Sequence, residues 1–373
     1  MEGAKTKLMT LDLIVIGGGP AGCAASITAA RAGARVLQLE RGRFPRHKVC
    51  GEFVSAESLA LLRQLVSHDH AQLVSHALEI PRTRIFVDKA ELVGQVSPPA
   101  ASITRFDLDH ALWNSAIQSG VDAREDHAVR SVSGSGPFLV NTAEGPLETK
   151  AIINATGRWS NLTSPAVRAC TSGERWIGIK AHFREPHSYQ SVDLYFFDGG
   201  YCGVQPASSS QNGFGTVVNA CAMVRAEVAT TLQDVFMAHP ALLQRSRRWT
   251  PAMDPVTTSP LVFHEPELML DGMLQAGDSA TFVDPFIGDG ISLALQSGAL
   301  ASQCLAAFFK GECSLEQSKL SYCAAYQRKL SRVFRNSSRL RRVLQWPSIV
   351  RKPALSILQR TPAITSMLVR MTR

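Results

Sequence analysis

The stretch VIGGGPAG sets Gly17, Gly19 and Gly22 in a GxGxxG spacing, and Glu40 follows eighteen residues after the last of them. These residue types suit a dinucleotide. Gly17 makes a tight turn, Gly19 lets backbone come close to a pyrophosphate, and Gly22 lets a helix pack against its strand. A helix beginning at Pro20 and Ala21 would present free amide donors and its positive dipole end to the phosphates. Glu40 can accept both hydroxyls of an adenosine ribose, with Arg41 beside it as a further contact. Its charge would repel a 2′-phosphate, so FAD or NAD is expected rather than NADP. A second stretch with chemical potential is RHKVCGEFVS at 46–55, which groups Lys48, Cys50 and Gly51 with Glu52 directly behind. Its thiol could face a cofactor, take part in chemistry, fill a small space or form a disulfide. The residue types alone leave these open.

The elements around these residues follow from periodicity. LDLIVIG (11–17) is a continuous apolar, β-branched run, as expected of a central parallel strand. Residues 20–32 have helical spacing with many alanines, and Gly33 can end the helix. ARVLQLE (34–40) predicts a second strand, which places the glycines at a strand-to-helix turn. HAVRSV (127–132) and AIINATG (151–157) predict two more strands, and 226–245 predicts a helix. RTRIFVD, WIGIKAHF, SVDLYFF, GYCGVQP and GTVVNACAMV read as strands separated by turn residues such as DGG and SQNG. They predict a mostly antiparallel sheet, one face of which roofs the cofactor.

At 373 residues the chain is long for one core, so two interlocked domains are expected. A composition of 45% hydrophobic and 19% charged residues is globular rather than disordered. The first apolar run ends in glycines and reads as a buried strand, not a signal peptide. No stretch reaches the ~18 consecutive apolar residues of a membrane span, so a cytoplasmic location is expected. The eight cysteines include no CxxC pair, which favours free thiols over zinc or disulfides. The net charge of +8 is uneven: thirteen Lys or Arg and no carboxylate follow Glu316, leaving 26 basic against 31 acidic residues up to that point. The basic character belongs to the C-terminal tail, so no nucleic-acid partner is expected. The tail could cap the fold or touch an anionic membrane surface peripherally.

LQAGDSATFVDPFIGDGISLALQSGALAS (274–302) reads as strand, Gly-Asp turn, glycine-bearing loop and helix. It resembles the second FAD motif of the para-hydroxybenzoate-hydroxylase-like flavoproteins. Within that superfamily it is most similar to the geranylgeranyl-reductase-like branch, whose GD…DPxxGxGI pattern is matched by Gly277, Asp278, Asp284, Pro285, Gly288, Gly290 and Ile291. The resemblance covers roughly residues 8–310. It implies that Asp278 binds the ribityl or pyrophosphate portion of FAD and that the 285–291 backbone approaches the flavin. A helix starting near 290 would aim its positive end at the N1–C2=O edge. The branch also carries a K-x-C-G segment, matched by Lys48, Cys50 and Gly51. That match implies that Cys50 lies beside the isoalloxazine, as a ring contact or a proton source. ITRFDLDHAL (103–112) resembles a helix start whose arginine reaches FAD, here Arg105. The resemblance further implies that the backbone at Val129 borders the adenine and that Gly157 approaches FAD. Thr156 stands where many aromatic hydroxylases have an acid that helps dock NAD(P)H. Electrons would then come from transient NAD(P)H contact or from a reductase partner.

The fold expected is α/β. A discontinuous Rossmann-like FAD-binding domain (1–80, 100–165 and 265–318) joins a mostly antiparallel β-sheet substrate domain (81–99 and 166–264) and a helical, basic tail (319–373). Residues 199–209 are expected to line the active cavity, with Tyr195, Tyr201 and His182 as substrate-facing candidates. The implied activity is that of an FAD-dependent oxidoreductase passing hydride through flavin N5 to a hydrophobic, prenyl or polyketide-like molecule. The alternative is a monooxygenase using a C4a-hydroperoxide. A halogenase is a lesser alternative: YCGVQP lacks that group's tryptophan-rich WxWxIP, and Lys89 is the only nearby lysine expected to imitate its lysine. A non-catalytic carrier is another.

Overall fold

The computed structural model describes residues 11–158, 161–162, 175–186, 189–207, 217–282, 285 and 288–330. Asp284 and the tail from 331 onward lie outside the described residues. Two sheets organise the chain. In the first, Leu11–Ile16 is the centre of a parallel array that runs Met273–Gln275, Gly145–Asn154, Leu11–Ile16, Val36–Leu39, Asp122–Arg124. Leu13, Ile14 and Val15 are fully buried, as a strand covered on both faces must be. The helix Pro20–Arg31 follows the glycine turn with proline in its first turn, where the missing N–H costs nothing. Gly33 is left-handed at φ +91°, as the helix stop predicts.

One long-range packing event closes this half. The helix Gly290–Phe309 lies against Pro20–Arg31 so closely that a Cβ on Gly298 would sit 2.0 Å from Ala21 O. By length and composition this helix could cross a membrane, which the search for an unbroken apolar run missed because Gln296, Ser297 and Gln303 interrupt it. In the fold most of it is buried as a core helix. Tyr322, on the following helix Leu315–Lys329, donates its hydroxyl to Gln275 O at 2.7 Å and ties that helix to the first sheet.

The second sheet is mostly antiparallel and has nine strands among the described residues. The hairpin Leu78–Val87/Ala90–Ser102 extends beyond the expected 81–99 at both ends. Ser191–Phe197 pairs with it in parallel, and Gly200–Ala207, Val217–Arg225 and Trp176–Arg184 continue the sheet antiparallel. Phe53–Val54 joins the opposite edge by pairing with Ser102 and Ala101. Alternation of side chains gives this sheet two faces. One carries Ile179, Ala181, Tyr195, Cys202, Val204, Ala220 and Ala222 into a core with Leu232, Val235, Phe236 and Leu242. The other carries Lys180, His182, Asn219, Cys221, Met223 and Tyr201.

Two sequence expectations need correction. The helix expected over 226–245 is two short helices, Leu232–Met237 and Pro240–Ser246. Pro240 cannot continue a helix through His239, so it starts a new one. The strand expected over 127–132 is absent there; strands occupy Asp122–Arg124 and Ser131–Gly134, and Val129 sits in the irregular stretch between them. His127 N bonds Glu40 O in that stretch, which diverts the backbone from a ladder.

The crossing of the two helices generates a test. Gly298→Ala is expected to destabilise the protein by about 1–3 kcal/mol through overpacking against rigid backbone. The urea midpoint should fall; an unchanged midpoint would show that the helices separate freely.

Candidate functional site

The glycine turn is built by steric necessity. A Cβ on Gly17 would lie 2.3 Å from Ala155 O, and one on Gly22 would lie 1.9 Å from Gly17 O. Gly19 differs: a Cβ there would meet nothing nearer than Lys48 Nζ at 3.9 Å and Arg105 Nη2 at 4.0 Å. The open side of Gly19 therefore faces two cations. Gly19 also caps the helix Pro20–Arg31 with no side-chain bond and no acid in the first turn, so its leading amides keep their donors for an anion.

Glu40 is buried at the end of its strand. It accepts from Gly18 N at 2.7 Å, Gly42 N at 3.0 Å and Arg46 Nη2 at 2.8 Å. Burial opposes its charge, yet Lys48, Arg46 and the Gly18 amide hold its carboxyl below the ordinary range. The partner guanidinium is thus Arg46. Arg41, the sequence candidate, is exposed, since consecutive residues leaving a strand point their side chains apart.

Arg105 begins the helix Arg105–Gln118, which Thr104 caps through Asp107 N at 3.2 Å. Its guanidinium grips fully buried Asp109 in a bidentate pair at 2.6 and 2.7 Å. Lys48 Nζ lies 3.6 Å from the same carboxylate and keeps 31% of its side chain exposed. Burial raises the Asp109 carboxyl, but the two cations win and hold it below its usual value. The result is a fixed cationic wall opposite Gly19.

Across the site Gly277 turns at φ +63° and donates its N–H to Ser297 Oγ at 2.9 Å. Asp278 is partly exposed and lies 3.6 Å from Arg158 Nε. Gly157 N donates to Ser279 Oγ at 2.9 Å, and Thr156 bonds Asn154 Oδ1, whose amide reaches Gln275 Oε1 at 2.8 Å. This buried amide pair crosses between strands and was not anticipated. Gly288 packs its Cα face toward Phe53 and donates to Pro285 O at 3.0 Å. Gly290 opens the helix Gly290–Phe309, with Ile291 buried behind it, and no acid lies in its first turn. Val129 is buried, and its carbonyl accepts from Asn161 Nδ2 at 3.2 Å.

A dinucleotide with a flavin ring fits these residues on steric grounds. A Cβ built on Gly51, Gly157 or Gly290 meets nothing within 4 Å, so these positions, like Gly19, leave space that a ligand can occupy. The Gly19 amides, Lys48 and Arg105 would hold the phosphates, Glu40 the ribose, Asp278 the central portion, and Gly290 the ring edge.

The 48–52 loop carries the largest surprise. Cys50 Sγ accepts from Glu52 N at 3.3 Å, and Cys50 O accepts from Asn219 Nδ2 at 3.0 Å. Glu52 is fully buried with a left-handed φ of +64°. Its carboxylate takes Lys180 Nζ and Arg105 N on Oε1 and His182 Nε2 at 2.9 Å on Oε2. Lys180 and His182 are both fully buried on the strand Trp176–Arg184. Burial would raise the Glu52 carboxyl, but Lys180 and His182 draw it to about 2. His182 was a substrate candidate; it is an ion-pair partner beneath the loop instead. The lysine near the loop is Lys180. Lys89 is exposed in the turn between Val87 and Ala90.

The tyrosines separate by face. Tyr201 shares the Lys180 face and packs with Met223, Leu261 and Phe282, with Trp176, Leu194, Phe196 and Phe263 around them. Tyr195 is corrected: it lies on the opposite face, stacked on Phe86 at 4.5 Å with its hydroxyl taking Arg245 Nη1 at 3.2 Å. It is a core residue. Phe282 follows the Asp278 turn, and Arg158 lies 4.4 Å over its ring, so the apolar cluster abuts the cofactor side.

Two outcomes test this geometry. Gly19→Val would fill the open space beside Lys48 and Arg105. The purified variant is expected to lose flavin absorbance near completely, and full retention of FAD would refute the placement. Glu52 has a folded pKa near 2 against an ordinary 4.5, so its stabilising contribution is present above about pH 4.5 and lost as pH falls towards 2. Acid unfolding of the wild type should be steeper across that window than that of Glu52→Gln, by on the order of 3 kcal/mol in total. Parallel curves would mean the carboxylate is not held.

Over residues 10–335 the chain matches the FAD binding domain family. It is similar to digeranylgeranylglycerophospholipid reductase 2 of Methanopyrus kandleri, being 26% identical over 318 residues, 80% of this chain and 77% of that protein. Its fold is shared with a geranylgeranyl bacteriochlorophyll reductase-like protein from Thermoplasma acidophilum (TM-score 0.76, 18% identity, 97% of this chain and 95% of the other). A flavin-dependent brominase has a comparable likeness (TM-score 0.77, 18% identity, 97% and 93%). At these identities the structural likenesses speak for fold alone. The match across most of its length and the glycine cradle agree: this chain belongs to the FAD binding domain family and is an FAD-dependent oxidoreductase.

Proposed function

We propose that the protein reduces a carbon–carbon double bond in a hydrophobic, isoprenoid-type molecule. The observation that carries this reading is the apolar cluster of Tyr201, Met223, Leu261 and Phe282 on the sheet face that also bears Lys180, beside the 48–52 loop. A flexible chain of methyl-bearing units gains about 25 cal/mol per Å2 of apolar surface removed from water there. The relative named for a digeranylgeranyl lipid supports the same substrate class.

Bound and reduced, FAD supplies hydride from N5. The protein's own contribution is orientation, dryness and a proton. Lys48, Arg105 and the open helix ends fix the cofactor's anionic part. The aromatic and aliphatic side chains around Tyr201 exclude water from the acceptor. Half-buried Cys50 stands where its thiol could contact the ring or substrate, while Asn219 holds its carbonyl. Thr156 provides no carboxylate for docking a nicotinamide, so the reading includes an external donor, either transiently bound NAD(P)H or a reductase protein.

The test is anaerobic. Photoreduced holoprotein is mixed with prenylated lipids and quinones in detergent. Return of the oxidised flavin spectrum with one equivalent of saturated product is expected. Turnover only with oxygen, consumed stoichiometrically with a hydroxylated or halogenated product, would replace this reading with oxygen transfer.

A further inference from the structure

Three neighbouring strands of the second sheet place His182, Asn219 and Gln205 side by side in one row, in register His182↔Asn219 and Asn219↔Gln205. All three are essentially fully buried. Each has one polar atom with no hydrogen-bond partner: His182 Nδ1, Asn219 Oδ1 and Gln205 Oε1. Their other polar atoms are committed, His182 Nε2 to Glu52, Asn219 Nδ2 to Cys50 O and Gln205 Nε2 to Ser102 Oγ at 2.9 Å. An isolated buried polar atom without a partner costs roughly 1–3 kcal/mol, so three adjacent ones call for shared water.

Chemistry distinguishes the two ends of this row. Glu52 stays ionised and accepts only, which requires a proton on His182 Nε2 and leaves Nδ1 as the atom that gains and loses a proton. Asn219 Oδ1 and Gln205 Oε1 are acceptors, suited to receiving hydrogens from water that in turn donates to or accepts from Nδ1. Moving along the strands, the next row on this face is Lys180, Cys221 and Gly203, and the one after is Gly178, Met223 and Tyr201. Gly203 has no side chain, so the row between polar pocket and apolar cluster has room. The four-residue step from Asn219 to Met223 spans about 13 Å.

We propose that ordered water bound to His182 Nδ1, Asn219 Oδ1 and Gln205 Oε1 forms a buried proton reservoir that serves the cavity lined by Tyr201 and Met223. This use rests on the reductive reading above. When hydride enters one carbon of a double bond, the other carbon takes a proton. His182 as imidazolium releases that proton from Nδ1 to the water chain, becomes neutral, and is reprotonated from solvent. Glu52 is the positioning residue: it sets the tautomer and favours the imidazolium. The charged and titratable groups around His182 are Glu52 and Lys180 in direct contact or on the same strand, His47 with its ring 5.5 Å away, Cys221 across from Lys180, and Cys50 through Asn219.

The experiment has two arms on FAD-loaded protein. A crystal structure at about 1.5 Å should show water oxygen within 2.6–3.2 Å of His182 Nδ1 and of Asn219 Oδ1. A dry pocket there overturns the proposal whatever the activity. In the second arm His182→Gln, which can still donate to Glu52 but cannot titrate, is compared with the wild type in anaerobic single turnover across pH 5–9. FAD content is expected unchanged, the rate about 10²-fold lower, and both the pH-dependent limb and the solvent deuterium effect lost. A variant with wild-type rate and pH profile overturns the proposal. If wild-type protein reduces no prenylated acceptor, the functional reading fails and the proton delivery with it, while water found at Nδ1 would show that the pocket itself had been read correctly.

Discussion

The structure turns on Glu52, a buried carboxylate at the point where the chain crosses from one sheet to the other. Residues up to Glu40 belong to the parallel sheet, and Phe53–Val54 already pair in the second. Between them Glu52 adopts a left-handed conformation that costs an ordinary residue roughly 1–2 kcal/mol. It persists because the surroundings over-determine it. Ile103 N bonds its carbonyl, Arg105 N and Lys180 share one carboxylate oxygen, and His182 takes the other. A buried charge is tolerable only with such compensation, and removing one partner strands the rest.

This anchor explains why cofactor cradle and apolar face lie against each other. Arg105 contributes its backbone to Glu52 and its side chain to Asp109, so the cationic wall opposite Gly19 is indexed to the same carboxylate. Asn219 holds Cys50 from the second sheet, and a Cβ on Gly178 would clash with Val49 at 2.9 Å, which shows how tightly the loop is seated on that face. Arg105, Lys48, Cys50 and the Tyr201 face are thereby positioned by a single crossing of the chain rather than by separate loops.

What could be read from sequence was what steric rules or local periodicity dictate. The glycines at 17, 19 and 22 have few alternatives between a buried strand and a helix, and the structure gives each its expected surroundings. The Gly277–Ile291 segment and the Arg105 helix start were legible for the same reason. Glu52 was visible as an acid behind Cys50, but its partners lie 128 and 130 residues away. Within WIGIKAHF a lysine and a histidine two apart look like the polar positions of a half-exposed strand. Only the pairing of both sheets shows them buried. Tyr195 and Tyr201 illustrate the remaining ambiguity. Both sit in strands of similar composition, and one residue of parity decides whether a side chain meets the cofactor side or the opposite core. Arg41 and Arg46 differ likewise, since the loop path that returns Arg46 to Glu40 is a tertiary feature.

The claim that a buried charge anchors the site is tested most directly by a double-mutant cycle on unfolding free energy, with Glu52→Gln, Lys180→Met and both together. Each single change should cost about 3–5 kcal/mol, because each leaves a charge buried without its partner. The double variant, with no stranded charge, should lie well short of the sum, by more than 1 kcal/mol. Small single effects that add without coupling would contradict the account and place the anchor elsewhere.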